Sequence, residues 1–189
     1  MSDRPAIDFQ FGGRLSLDLT WTVRYRAVFP TELLATAADV RHWFEAVGLP
    51  APDRPSVADL HDTRELREAI HRAATALVEG SRIQAADRSL INRRAATPPP
   101  FPVLTADGVR RWDMATGTGT APALSVVARD AIELFAAAGD GRLRRCSGPQ
   151  CSLLFHDDSR PGARRWCATA RCGNRANTKA YRDRRRDPV

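Results

Sequence analysis

Four cysteines constrain this chain more than any other feature. They read Cys146-x4-Cys151, then fifteen residues, then Cys167-x4-Cys172. Each short loop folds back so that its two sulfurs converge, and the two loops together supply four thiolates. Four thiolates match the closed tetrahedral shell of a structural Zn²⁺, which leaves no vacant position for water. Gly148-Pro149 inside the first loop supplies the tight turn such a knuckle needs. Two disulfides would suit a secreted chain and allow three pairings. However, the opening MSDRPAIDFQFGG lacks the basic start and apolar run of a secretory leader. The surroundings are too hydrophilic for four buried free thiols. An iron–sulfur cluster also accepts four thiolates, but the compact knuckle-and-helix spacing favours zinc. His156 lies between the pairs; four cysteines already complete the shell, so it reads as a hairpin residue.

The residues around the cysteines read as a treble-clef-like unit. Leu153, Leu154 and Phe155 form a short apolar strand, residues 157–162 a turn, and Arg164 to Cys167 the returning strand. A helix then starts near Cys172, with the last ligand in its first turn. A unit this small cannot bury its own core, so the metal supplies much of its folding energy. From Arg142 onward there are thirteen Arg or Lys against four Asp, a net of +9, which leaves −2 on residues 1–141 out of a total of +7. That split points to a polyanionic partner for the terminal module. In a helix, Arg175, Lys179, Arg182 and Arg186 follow i, i+4, i+7, i+11 and share one face, which Arg185 widens. A row of cations on a narrow helix suits phosphate contacts, and arginine forks also read guanine edges. Tyr181 and Trp166 are expected to pack under the knuckle rather than to stack on bases.

The first 141 residues read as a mainly helical body. Ile7, Phe9 and Phe11 alternate with polar residues before Gly12-Gly13, and Leu15, Leu17 and Leu19 alternate after it. This pattern predicts a β-hairpin, with a helix running into Trp21 as the alternative for its second half. Thr36 with Asp39, and Ser56 with Asp59, resemble capping boxes that open helices ending near Gly48 and Gly80. A third helix is expected over 84–96. Pro98-Pro99-Pro100 then leads into a small hairpin turned at Asp107-Gly108. Thr120 caps a last helix with Leu124, Val127, Ala131 and Leu134 inward, stopped by Gly139. The fold class is therefore mainly α with small β-hairpins: a body over 1–141 and a four-cysteine finger over 142–189.

Nothing in the body carries an enzyme's signature. His42, His61 and His71 are scattered, no H-E-x-x-H, G-x-S-x-G or Walker pattern occurs, and Gly117-Thr118-Gly119 is only a turn. Asp18, among leucines, reads as a satisfied structural carboxylate. The most apolar stretch, 121–138, is interrupted by Arg129, Asp130 and Glu133, so no membrane span is expected. Clustered cysteines without a leader place the chain in the cytoplasm.

The terminal module, with Cys172-Gly173-Asn174-Arg175, "LFHDDSR" and "RRWC", resembles the CGNR zinc-finger family. The body, through "GGRLSLDL", "ELLATAADVRHWFEAVGL", "LREAIHRAATALVEG" and "ALSVVARDAIELF", resembles the ABATE domain that accompanies this finger. One departure is visible: where the family usually shows Asn-Thr after "LDL", this chain has Trp21-Thr22. The resemblance implies a bacterial, stress-induced transcription regulator. In that reading one zinc holds a finger on double-stranded DNA, and the body senses a small ligand or mediates association. The alternatives are a zinc-stabilised protein-interaction module, docked on an acidic partner or on the body itself, and RNA binding.

Overall fold

A computed structural model describes residues 7–113 and 119–178. Among the described residues, five helices build the body: α1 (Leu15–Thr20), α2 (Ala37–Ala46), α3 (Val57–Val78), α4 (Ala85–Ala96) and α5 (Ala121–Ala136). Helix α3 is the hub, touching α1, α2, α4 and α5, while α4 and α5 pack along each other. The main core joins Val40, Trp43 and Phe44 of α2, Leu66 and Ile70 of α3, Leu90 and Ile91 of α4, and Leu124 and Val127 of α5. Three antiparallel ribbons are added: β1 (Val23–Arg24) with β2 (Thr31–Glu32), β3 (Phe101–Leu104) with β4 (Arg110–Asp113), and β5 (Leu143–Arg145) with β6 (Leu154–His156).

Local chemistry sets the helix ends. Thr36 and Asp39 make both bonds of a capping box on α2, and Ser56 with Asp59 does the same on α3. Asp59 has a further role, because its Oδ1 accepts the Thr120 N–H at 2.7 Å and the Thr120 hydroxyl at 3.0 Å. Thr120 thus precedes α5 without capping it: its hydroxyl is turned to α3, and the start of α5 is set by Pro122 in its first turn. Helix α5 also ends differently from expectation. A one-turn 3-10 segment carries the chain past Gly139, and Gly141 at φ +70° makes the reversal into β5.

The hairpin expected across Gly12-Gly13 does not form. Residues 7–14 are an irregular strap, and the alternative holds: Leu15–Thr20 is helix α1. The period-two pattern misleads because Ser16, Asp18 and Thr20 are buried along with Leu17 and Leu19, so no polar face exists to be solvated. Ser16 is satisfied by Asp130 of α5, through its N–H at 2.8 Å and its hydroxyl at 2.5 Å. Asp18 accepts the Gly12 N–H at 2.5 Å and pins the strap over α1.

Burial pushes the Asp18 carboxyl up from 3.8 to about 6, with the charge of Asp130 adding and the N–H groups of Gly12 and Gly13 opposing. The folded state therefore binds this proton more tightly than the unfolded chain does. The stability it contributes is full below pH 3.8 and lost as pH rises through about 6. Relative to Asp18→Asn, the wild type is expected to lose on the order of 2 kcal/mol between about pH 4 and about pH 7.5. Urea titrations of both proteins across that range measure it, and a pH-independent difference would contradict it.

Candidate metal centre and basic surface

The finger begins where α5 turns back. Strand β5 does not end in a plain turn: its residue 145 runs directly into Cys146, and the Cys146 N–H bonds the Leu153 carbonyl at 2.9 Å. The first knuckle is thus the end loop of the β5–β6 ribbon. This corrects the expected pairing: β6 pairs with β5, while Arg164 to Cys167 return as irregular chain. The reason is local. Asp157 accepts the Ser159 N–H and hydroxyl and the Arg164 N–H, so the chain after β6 closes on a side chain instead of a ladder. Burial pushes the Asp157 carboxyl up, but these hydrogen bonds win and hold it at about 2. A wide helical turn over Thr169–Gly173 follows, and helical backbone continues from Asn174 to Thr178. Cys172 stands in its first turn, and its N–H bonds the Ala168 carbonyl at 3.0 Å.

The ligand atoms of Cys146, Cys151, Cys167 and Cys172 all lie within 4.8 Å of one another. The Cys151–Cys167 sulfurs are 3.7 Å apart and the Cys167–Cys172 sulfurs 3.8 Å. A tetrahedron with Zn–S bonds of about 2.3 Å has edges of about 3.8 Å, so the cage has the size zinc requires. The separations are far beyond a disulfide bond. Hydrogen bonding to the Cys146 sulfur, together with burial, pushes the Cys151 and Cys167 thiols up, while the same contacts push Cys146 down. Four thiolates therefore need a cation among them. Gly148 closes over the cage: a Cβ there would lie 3.0 Å from the Cys151 Cβ and 3.3 Å from the Cys172 sulfur. The Cys167 N–H points at the Cys146 sulfur at 3.4 Å, the outer bond that orients a thiolate ligand. These four residues fit one structural zinc. His156 sits on β6, half-buried and outside the cage.

A family model described as "Putative stress-induced transcription regulator", ABATE, matches residues 13–138. The chain belongs to the ABATE family. The CGNR zinc-finger model matches residues 142–185, which contain the whole thiolate cage, so the ABATE domain is followed by a CGNR finger holding one structural zinc. No curated protein matches the chain at a significant level. Among the described residues, no helix is long and apolar enough to cross a membrane.

The CGNR finger is seated on the ABATE domain through a shared apolar layer. Leu143 and Leu154 of the ribbon pack with Leu17 of α1, Ala74 of α3 and Leu134 of α5. Trp21, which stands where the family usually has Asn, penetrates the finger itself. Its ring packs with Cys146, Leu153, Phe155 and Cys167, and its Nε1–H donates to the Leu154 carbonyl at 2.7 Å. The departure from the family pattern thus puts an indole where it bridges body and metal centre.

Of the residues expected on the nucleic-acid face, Arg175 is described and exposed. Lys179, Arg182, Arg185 and Arg186, with Tyr181, lie outside the described residues. Several other arginines of the finger have structural partners. Arg142 donates to the Asp157 and Ser159 carbonyls, Arg145 pairs with Glu79 at 2.7 Å, and Arg164 binds Asp158 and the Cys167 carbonyl. Trp166 packs at the edge of the metal cluster under the Arg165 guanidinium. In the body, His61 groups with Asp62 and Glu65 on an exposed face of α3. Sequence reasoning missed the β1–β2 ribbon, whose two-residue strands are too short to carry a period. It also missed its anchor, the buried Arg67, which grips both Glu32 oxygens at 2.7 Å.

Proposed function

We propose that this chain is a cytoplasmic transcription regulator that binds double-stranded DNA through the terminal helix of its zinc finger, and that it is not an enzyme. One observation carries the reading: the metal cage launches that helix at Cys172, and its first outward cation, Arg175, is exposed beside Tyr25 of the body, while Arg142, Arg145 and Arg164 are occupied in holding the finger. Zinc here has a structural task, to fix the direction of a cationic helix. The sequence continues Arg175 with Lys179, Arg182 and Arg186 at helical spacing, and phosphate contacts need such a row. The ABATE domain then serves as the part that senses a small ligand or associates with a partner.

The seating of the β5–β6 ribbon on α1 and α3 favours one element of the alternative reading, a finger docked on its own body. The two are compatible, because docking uses the ribbon and Trp21, and Arg175 stays exposed although its side chain bonds Tyr25 of the body. Anisotropy titrations with labelled duplex test the DNA reading. Arg175→Ala combined with Arg182→Ala and Arg186→Ala is expected to weaken binding at least tenfold. The same variant is expected to reduce the salt slope by about 1 for each phosphate it no longer touches. Unchanged affinity in the triple variant, or tighter binding of RNA than of duplex DNA, would contradict the reading.

A further inference from the structure

The body places a second element beside the finger helix. The connection between β1 and β2 carries three exposed side chains, Tyr25, Val28 and Phe29; Phe29 is 79% exposed, whereas Tyr25 is 38% exposed and bonds Arg175. Tyr25 is held at φ +53°, the left-handed region that a tyrosine seldom occupies. The base of the loop is clamped: Arg67 grips Glu32 on β2, and Arg26 makes a two-point pair with Glu68 of α3 at 2.7 and 3.0 Å. Exposed aromatics on an anchored loop are presented in a fixed direction. They face Gln150 of the first knuckle and Arg175 of the finger helix. Tyr25, Val28, Phe29, Thr31, Gln150 and Arg175 line an open cleft of about 340 Å³, within the roughly 300–1,000 Å³ of small-molecule sites. Tyr25 and Arg175 also line a much smaller cavity, about 30 Å³, shared with Arg24, Arg171 and three of the cysteines. Among the described residues, neither Arg171 nor Arg175 has a carboxylate partner; Arg175 bonds the Tyr25 side chain, and the Arg171 guanidinium lies over the Trp21 ring, 6.0 Å from its centroid.

We infer that this cleft is a subsite for one unstacked nucleobase and its phosphate, built jointly by body and finger; the inference rests on the nucleic-acid reading above. A planar heterocycle stacks on exposed aromatic rings whatever its identity. The Gln150 amide and the Arg175 fork supply the paired donors and acceptor that read a base edge, guanine in particular. Arg171, in the adjoining smaller cavity, adds positive charge for the phosphate. An apolar loop alone would fit many partners, whereas the guanidinium rim selects a ligand that is both planar and anionic. That chemistry has two sources: an unpaired base in DNA, or a free mononucleotide.

The test uses the zinc-loaded full chain, a fully paired duplex, the same duplex with one bulged guanosine, and guanosine monophosphate. The bulged duplex is expected to bind about tenfold tighter than the paired one. Phe29→Ala is expected to abolish that preference while leaving paired-duplex affinity and its salt slope unchanged. Phe101→Ala, another exposed aromatic on β3, keeps the preference and serves as control. Equal binding of the two duplexes by wild type, or a preference that survives Phe29→Ala, would overturn the inference. Should neither duplex bind, the DNA reading fails and guanosine monophosphate decides. Saturable binding that disappears in Phe29→Ala retains the cleft as a free-nucleotide site, and no binding overturns it.

Discussion

Stripping zinc from the intact chain is expected to unfold residues 142–178 and to lower the melting temperature of the whole protein. The finger's own apolar content is small: Leu143, Leu153, Leu154 and Phe155 are its buried apolar side chains besides Cys146 and Cys167. Structural zinc in isolated finger peptides contributes about 10–16 kcal/mol of apparent binding energy at neutral pH, which here is folding energy for the cage. Loss of the cage also exposes Leu143 and Leu154 on one side and Leu17, Ala74 and Leu134 on the other, so the effect reaches the body. Replacing either buried ligand, Cys146→Ser or Cys167→Ser, is expected to have the same consequence. Metal analysis should find one zinc per wild-type chain, and thermal unfolding with and without chelator should differ widely. A metal-free chain that melts at the wild-type temperature would contradict the prediction.

Trp21→Ala is the substitution expected to cost most outside the metal ligands. Removal of a fully packed tryptophan costs about 3–5 kcal/mol, and the Leu154 carbonyl it leaves unpaired adds about 1–3 kcal/mol. The loss falls on the contact between body and finger, because Trp21 is 3% exposed and packs on Cys146 and Cys167. The variant is therefore expected to retain the α1–α5 core yet to become sensitive to proteolysis in the Gly139–Arg142 connection. Trp21→Phe keeps a ring but loses the indole hydrogen bond and part of the ring volume, so it is expected to cost less than Trp21→Ala: about 1–3 kcal/mol for the unpaired carbonyl plus a smaller cavity cost. Limited proteolysis combined with urea unfolding reads both effects. A Trp21→Ala protein as stable and as protease-resistant as wild type would show that the indole does not hold the interface.

Much of the architecture was legible because its determinants are local. Capping boxes at Thr36 and Ser56 depend on residues three apart, and the Asp107-Gly108 turn is a two-residue signal. The thiolate cage was legible for the same reason, since each knuckle closes within one short loop. What failed is tertiary. Alternation over Leu15, Leu17 and Leu19 implies a polar face, and only the partners of Ser16 and Asp18, on α5 and on the strap, show why that face is buried. Strand β6 chose β5 rather than the residues before Cys167 because Asp157 captures the intervening backbone, a competition that spacing does not reveal. The meeting of Phe29 with Gln150 and Arg175 joins residues far apart in the chain, and no local pattern encodes it.

On the proposed reading, the zinc cage creates the DNA-binding surface by fixing the terminal helix. The salt dependence of duplex affinity, measured on the full chain with zinc bound and after chelation, tests this most directly. The zinc-bound protein is expected to lose affinity steeply with salt, with a log–log slope of about −4.5 for about five phosphate contacts. The chelated protein is expected to bind weakly and with a shallower slope. Equal affinity and slope in the two states would assign any binding to an unstructured basic tail and contradict the role given to zinc.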